Sequence, residues 1–228
     1  MNALVNTIKP KMKPYLSILL SLGLYTCAHH TMPHDAGQAW QNTIQQIPGK
    51  IECELYNQGG EGIAYHDKDS INNGSGKLNP ANGTFLNEFR MKEGVDISYT
   101  KANDIDNTKY NKVMPEINKF YVGWTENSEW IKYYVNVKET GNYSVGLMYT
   151  ANGDGLISLD IDGKPVAENL KVVSTFDPNE PVAWRQWHHW NKAESLAEVK
   201  LTKGIHTLTL HTVEHGNMNY DYLEFKKR

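Results

Sequence analysis

Apolar residues recur at every second position in run after run, and this period of two constrains the chain more than any other feature. Ile51, Cys53 and Leu55 alternate with Glu52, Glu54 and Tyr56. Ile131, Tyr133, Val135 and Val137 alternate with Trp130, Lys132, Tyr134 and Asn136. Tyr143, Val145, Leu147 and Tyr149 form a third set, and Ile157, Leu159 and Ile161 a fourth. Leu208 with Leu210, and Leu223 with Phe225, continue the pattern. Successive side chains of a strand point to opposite faces, so these segments read as half-buried strands. Turn signals separate them at Thr140-Gly141-Asn142, Asn152-Gly153-Asp154-Gly155, Asp162-Gly163 and Lys203-Gly204. No long helical period interrupts the series, which predicts an all-β antiparallel sandwich. Two turn-rich insertions, 59–89 and 101–119, are long for a compact domain, and loops of that length are functional or mobile.

The first 50 residues read differently. Lys9, Lys11 and Lys13 precede a short apolar run, 15–26, that is too short to span a bilayer and reads as an export signal. Leu24-Tyr25-Thr26-Cys27 resembles a bacterial lipobox, with Thr26 in place of the usual small residue. It resembles the leader of exported lipoproteins of the Bacteroidetes type, in which Cys27 carries the lipid. Either Met1 or Met12 serves as the start. A cleaved secretory signal with an ordinary Cys27 is the alternative, and a Cys27–Cys53 disulfide is then permitted. The expected organisation is a signal over 1–27, a polar tether over 28–48 with a short helix over 36–46, and a module over 49–228. The expected location is a membrane surface facing either the periplasm or the exterior, or the medium if no lipid is attached.

Net charge is −3, so nothing favours a polyanionic partner such as nucleic acid. Hydrophobic content is 39%, while 13 Tyr and 6 Trp make the chain rich in aromatics. That suits either exposed aromatic platforms or aromatic strands. The two cysteines form no zinc-type spacing. His211-Thr212-Val213-Glu214-His215 matches the string of one zinc protease class, which needs a helix. Here it continues a β-branched strand pattern, where residues four apart lie about 13 Å from each other and cannot share a metal. His29, His30 and His34 read as part of a solvated linker.

The strands also carry a set of words in order. Pro48-Gly49-Lys50-Ile51-Glu52-Cys53-Glu54 is followed by Gly59-Gly60-Glu61-Gly62-Ile63-Ala64-Tyr65-His66-Asp67, Phe89-Arg90 and Glu93-Gly94-Val95-Asp96-Ile97. Then come Val122-Gly123-Trp124, Glu129-Trp130-Ile131-Lys132-Tyr133, Trp184-Arg185-Gln186-Trp187, Gly204-Ile205-His206-Thr207-Leu208 and Asn219-Tyr220-Asp221-Tyr222-Leu223. Over about 48–227 the chain resembles the family 6 carbohydrate-binding modules. The resemblance implies a jelly-roll sandwich of the galactose-binding-domain type, binding of poly- or oligosaccharide, and a structural calcium ion. Such modules usually accompany glycoside hydrolases, and this sequence departs by carrying no catalytic domain. The 101–119 insertion is a second departure and puts the shape of the sugar site in question.

A sugar ring pairs an apolar C–H face with a rim of hydroxyls, so its recognition needs flat aromatics and a few polar groups. The resemblance makes Trp124 the aromatic platform and puts Trp184 in the second aromatic word. Strand parity sends Trp184 and Trp187 to opposite faces, which predicts Trp184 toward ligand and Trp187 in the core; Trp130 and Trp190 read as packing residues. By resemblance Asn219 hydrogen-bonds hydroxyls and Glu61 accepts from them. Tyr65, Asp67, Arg90 and Asp96 are further candidates, with a loop-stabilising network as the other reading. Glu52 and Glu54 leave the same side of one strand, which by itself reads equally as a charged, solvated edge. By resemblance the last strand brings Asp221 beside them as ligands of calcium, a cation suited to oxygen donors. Two other functions stay open. A glycoside hydrolase could draw its acid pair from Glu61, Asp67, Glu93, Asp96 and Glu129. An adhesion lipoprotein could keep the sandwich without a site. A neighbouring hydrolase or transporter is the expected protein partner.

Overall fold

The alternating segments pair as strands. A computed structural model of the chain describes residues 36–228, so the export signal and Cys27 lie outside the described residues. In chain order the strands are β1 (Gln45–Ile47), β2 (Gly49–Glu52), β3 (Tyr65–His66), β4 (Ser75–Gly76), β5 (Asn79–Pro80), β6 (Ile97–Tyr99) and β7 (Phe120–Val122). They continue as β8 (Trp130–Val137), β9 (Gly141–Ala151), β10 (Gly155–Ile161), β11 (Lys164–Val172), β12 (Asn191–Leu201), β13 (Gly204–Glu214) and β14 (Met218–Lys227).

One sheet runs β1-β8-β13-β10-β11, with β3 also on β8; the other runs β12-β9-β14-β7-β6, with β2 also on β14. Pairing within both is antiparallel apart from β1, which lies parallel to β8. The inward residues of the predicted sets, among them Tyr133, Val135, Leu147, Leu159, Leu210 and Leu223, form one buried core between the sheets. That is the sandwich expected from the period-two pattern.

Three sequence expectations are corrected here. The segment 28–48 is not a tether throughout: Ala36 and Ala39 pack on Tyr134, Gln38 bridges to Gln58, and β1 extends a sheet. The expected helix over 36–46 is absent, replaced by one short turn (Trp40–Asn42) whose Gln41 has φ 47°. The Ile51–Leu55 strand ends early, at Glu52, and Cys53–Leu55 forms a 3-10 turn. Cys53 is nevertheless buried, as a free thiol.

The two insertions are built into the fold. The first supplies β4, β5 and a short helix α1 (Phe85–Glu88). The second lies over the outer face of the β9 sheet. There Tyr121, Met148, Trp190 and Tyr222 form a second apolar cluster. Lys112 and Val113 donate backbone bonds to Trp190 O at 2.8 and 3.1 Å. Residues Tyr143 through Ala151 of β9 are therefore buried on both faces.

Candidate functional site: an aromatic cleft on a buried polar brace

At one end of the sandwich Trp124, Trp184 and Trp187 line a cleft of about 410 Å³. Leu78 and Asn79 of the first insertion and Lys101 and Ile105 of the second also line it, and Tyr121 and His188 lie at its base. Both insertions thus supply walls, which their length alone could not show. Trp184 is 57% exposed, a large cost in wetted apolar surface for a residue with no partner.

Trp184 sits in a 3-10 turn, Ala183–Arg185. Arg185 pins that turn through Asp104 at 2.5 Å and Glu180 at 3.0 Å. This corrects the expectation that Trp187 is core. Strand parity does not apply to a 3-10 turn that runs on into a further turn at Gln186 and Trp187, and both indoles line the same cleft. Trp190 is wholly buried, as expected of a packing residue. Trp130 is half-buried against Lys132 and His66.

Trp124 is held from below. Its backbone has φ 48°, uncommon for a bulky residue. Its N–H donates to Asn219 Oδ1 at 3.0 Å. Asn219 Nδ2 donates to Thr150 Oγ1 at 2.8 Å and to His188 Nδ1 at 3.1 Å. His188 Nε2 meets Asp106 Oδ1 at 2.9 Å. This chain is satisfied by the His188 tautomer protonated on Nε2, which donates to Asp106. Asp106 also accepts from the Trp190 indole at 2.8 Å and from Lys101 N–H at 2.8 Å. Burial pushes the Asp106 carboxyl up, but the hydrogen bonds it accepts from His188, the Trp190 indole and the Lys101 N–H outweigh it and leave it below the ordinary value.

Asn219 is therefore not a free hydroxyl contact, as the resemblance implied. It is buried, and both amide donors are committed. The sequence reading missed Asp106 and His188. The only available signal was the length of the insertion carrying Asp106.

The remaining candidates lie elsewhere. Arg90 is buried; its guanidinium bonds Tyr56 O and Asn57 O at 2.7 and 2.9 Å, pairs with Glu93 at 2.7 Å and packs on the Tyr56 and Trp40 rings. It is a fastener of the fold. The Tyr65 hydroxyl accepts from Gly94 N–H at 3.0 Å in a largely buried position. Asp96 accepts from the backbone N–H of Asn73 and is also buried. Glu61 accepts from Asp67 N–H at 3.0 Å and contacts His66 Nδ1 at 2.5 Å. Glu61, Tyr65 and Asp67 border a separate polar hollow of about 200 Å³.

Around that hollow burial, then the Glu129 charge, pushes Asp67 up to about 8. Burial pushes Asp96 up to about 6. A raised carboxyl is one requirement of a glycosidic acid. Its partner is engaged, however: Glu129 accepts from Lys68 N–H at 3.1 Å and Glu126 N–H at 2.7 Å. The protease-like string runs along β13 as far as Glu214, with His215 just past the strand end, and His211 pairs with Asp160 at 3.0 Å.

Glu52, Glu54 and Asp221 meet where β2 flanks β14. Tyr222 pairs with Glu52, and Asp221 falls at the irregularity between Tyr220 and Tyr222 in the β14–β9 register. Glu54 lies in the turn after β2, so the two glutamates do not share one strand side, as alternation had implied. Glu54 Oε2 is buried without a hydrogen-bond partner. Burial, and then the Glu52 charge, push up both Glu54 and Asp221, the latter to about 7. Among the described residues no three His, Cys, Asp or Glu side chains already converge as a metal site. Oxygen donors and an orphaned carboxylate oxygen nevertheless fit a hard cation.

The family described as carbohydrate binding module (family 6) matches residues 96–227, more than half of the chain. No curated protein matches it. Among solved structures it is similar to the C-terminal module of the marine laminarinase LamC from Zobellia galactanivorans, with 18% identity, a TM-score of 0.44, and 78% of this chain and 98% of that one covered. A module from Clostridium stercorarium in complex with cellobiose gives 11% identity, a TM-score of 0.48 and coverage of 82% and 98%. A module of lichenase 5A from Cellvibrio mixtus in complex with cellotriose gives 15%, 0.44, and 80% and 98%.

Proposed function

The chain belongs to family 6 of the carbohydrate-binding modules, a non-catalytic carbohydrate binder, and on that footing we propose that the sugar lies in the cleft between Trp124 and Trp184. One observation carries this reading: three indoles border one cleft, and the backbone of one is fixed by a buried polar chain running to Asp106. Indole faces take up the C–H faces of pyranose rings. Lys101 stands at the rim for hydroxyls. The brace keeps the platform in place before ligand arrives, which lowers the ordering cost of binding.

A glycan array with soluble polysaccharides, read beside a reducing-end assay, tests the proposal. Retention of at least one glycan without new reducing ends is expected, and Trp184→Ala should lose it. Steady release of reducing sugar would overturn the non-catalytic assignment for the whole protein. An array on which the protein retains nothing would overturn the binding cleft.

We further propose that a calcium ion is held by Glu52, Glu54 and Asp221, where it would neutralise buried charge. Chelator should then lower the melting temperature and added calcium restore it; identical melts would remove the ion from the account. Export and a lipid at Cys27 are proposed from the basic and apolar leader alone. A many-copy display on a membrane would raise avidity for a polymer that one site holds weakly. Labelled fatty acid incorporation that is lost in Cys27→Ser tests the anchor.

A further inference from the structure

Trp124 borders two clefts. Beyond the one shared with Trp184 lies a second, open hollow of about 460 Å³, bordered by Lys68, Thr125, Glu126, Asn127 and Asn217. Its chemistry is the reverse of the first: Trp124 is its one aromatic, and the remaining side chains are amides, a hydroxyl and a charged pair. Lys68 and Glu126 are 3.5 Å apart and both well exposed, so each keeps capacity for further hydrogen bonds.

The backbone around this hollow is strained and tied down. Trp124, Ser128, His215 and Asn217 all have left-handed φ, at 48, 74, 49 and 62°. Such conformations persist in non-glycine residues only where surrounding structure imposes them, and they gather at ligand sites. Here the ties are explicit. Ser128 N–H donates to Thr212 O at 2.8 Å, Gly216 N–H to Asn127 Oδ1 at 2.8 Å, and Asn217 N–H to Thr125 O. Gly216 has no room for a side chain, since a Cβ there would sit 2.3 Å from Thr125 O. The two loops are pressed together into a fixed polar wall.

We propose that this second hollow is a further sugar subsite, continuous with the first across Trp124, so that the module holds a run of several sugar units. The proposal rests on the assignment of the Trp124–Trp184 cleft to carbohydrate. The first cleft supplies apolar stacking, and the second supplies hydroxyl contacts for the next units of the same chain. Asn217 and Glu126 are the specificity-determining residues for chain length.

Titration calorimetry with cello-, xylo- and laminari-oligosaccharide ladders, from disaccharide to hexasaccharide, tests this. Affinity for the ladder that binds should climb beyond the disaccharide. Asn217→Gly, which suits the left-handed backbone, and Glu126→Gln should each weaken the longer members roughly fivefold, the worth of about one hydrogen bond, and leave the disaccharide unchanged. Trp184→Ala should weaken every length. Both subsite variants are melted first, and either one that melts like the parent suffices. If affinity stops rising at the disaccharide, or the variants hold long and short chains like the parent, the subsite is wrong while the first cleft stands. If no ladder binds and the array is also silent, the first cleft falls and this subsite with it.

Discussion

Two loop regions of this sandwich were candidates for chemistry, and they are built on opposite plans. The cleft of Trp124, Trp184 and Trp187 exposes apolar area and hides its polar groups beneath, where each is bonded. The hollow of Glu61, Tyr65 and Asp67 is bordered by polar groups, and these bond mostly to neighbouring loop backbone. A ligand arriving at the first displaces water from indole faces. At the second it must compete with bonds already made. The acids look catalytic by their raised pKa, yet that shift comes from burial and from one another, as structural clusters also show.

The largest test of the comparison is Trp190→Ala. Its side chain is fully buried and its indole donates to Asp106 of the insertion, so the loss should be about 3–5 kcal/mol of stability, read by denaturant melts. Next is Asp106→Asn, which keeps the shape but weakens the acceptor for His188, Trp190 and Lys101. It should cost roughly 1–3 kcal/mol and also reduce sugar affinity, since the brace ends at Trp124. Unchanged affinity would separate the brace from the cleft. Trp184→Ala should leave stability within about 0.5 kcal/mol, as for an exposed residue, while affinity falls about tenfold, the cost of an aromatic anchor.

In the acidic hollow the expected effects are smaller and depend on pH. The Asp67 carboxyl has a folded value near 8 against an ordinary 3.8. Its favourable contribution is therefore complete below the ordinary value and lost as pH rises through about 8. Melting temperature should fall across that window, and Asp67→Asn, which can still accept from Asp69 N–H, should flatten the fall. The smallest effect is Glu61→Gln, with sugar affinity within about a factor of two of the parent, as for a rim group that only ties a loop. A larger loss would move the binding site toward the hollow.

Much of the scaffold was legible because a half-buried strand must alternate, and the 131–137, 143–149 and 157–161 runs do so in the structure as in the sequence. The failures came where local rules changed without an apolar signal. Trp187 was placed in the core by strand parity, although Pro178 and Pro181 just upstream mark a turn. Trp124 and Trp184 were legible as types suited to sugar. The brace was not, since Asp106, His188 and Asn219 meet only through tertiary contacts between residues 82 and 31 positions apart. Arg90 kept two readings because an arginine that caps loop carbonyls from inside is indistinguishable, in sequence, from one facing a ligand; its place in a loop-fastening network is set by tertiary contacts.

The left-handed backbone at Trp124 sets two selective pressures against each other. Glycine would relax that position, and it is also the residue that removes the ring. Selection for heat tolerance alone would thus tend to erode the platform, so retention of tryptophan there in descendants of this chain would record continued use of the ring rather than demand from the scaffold.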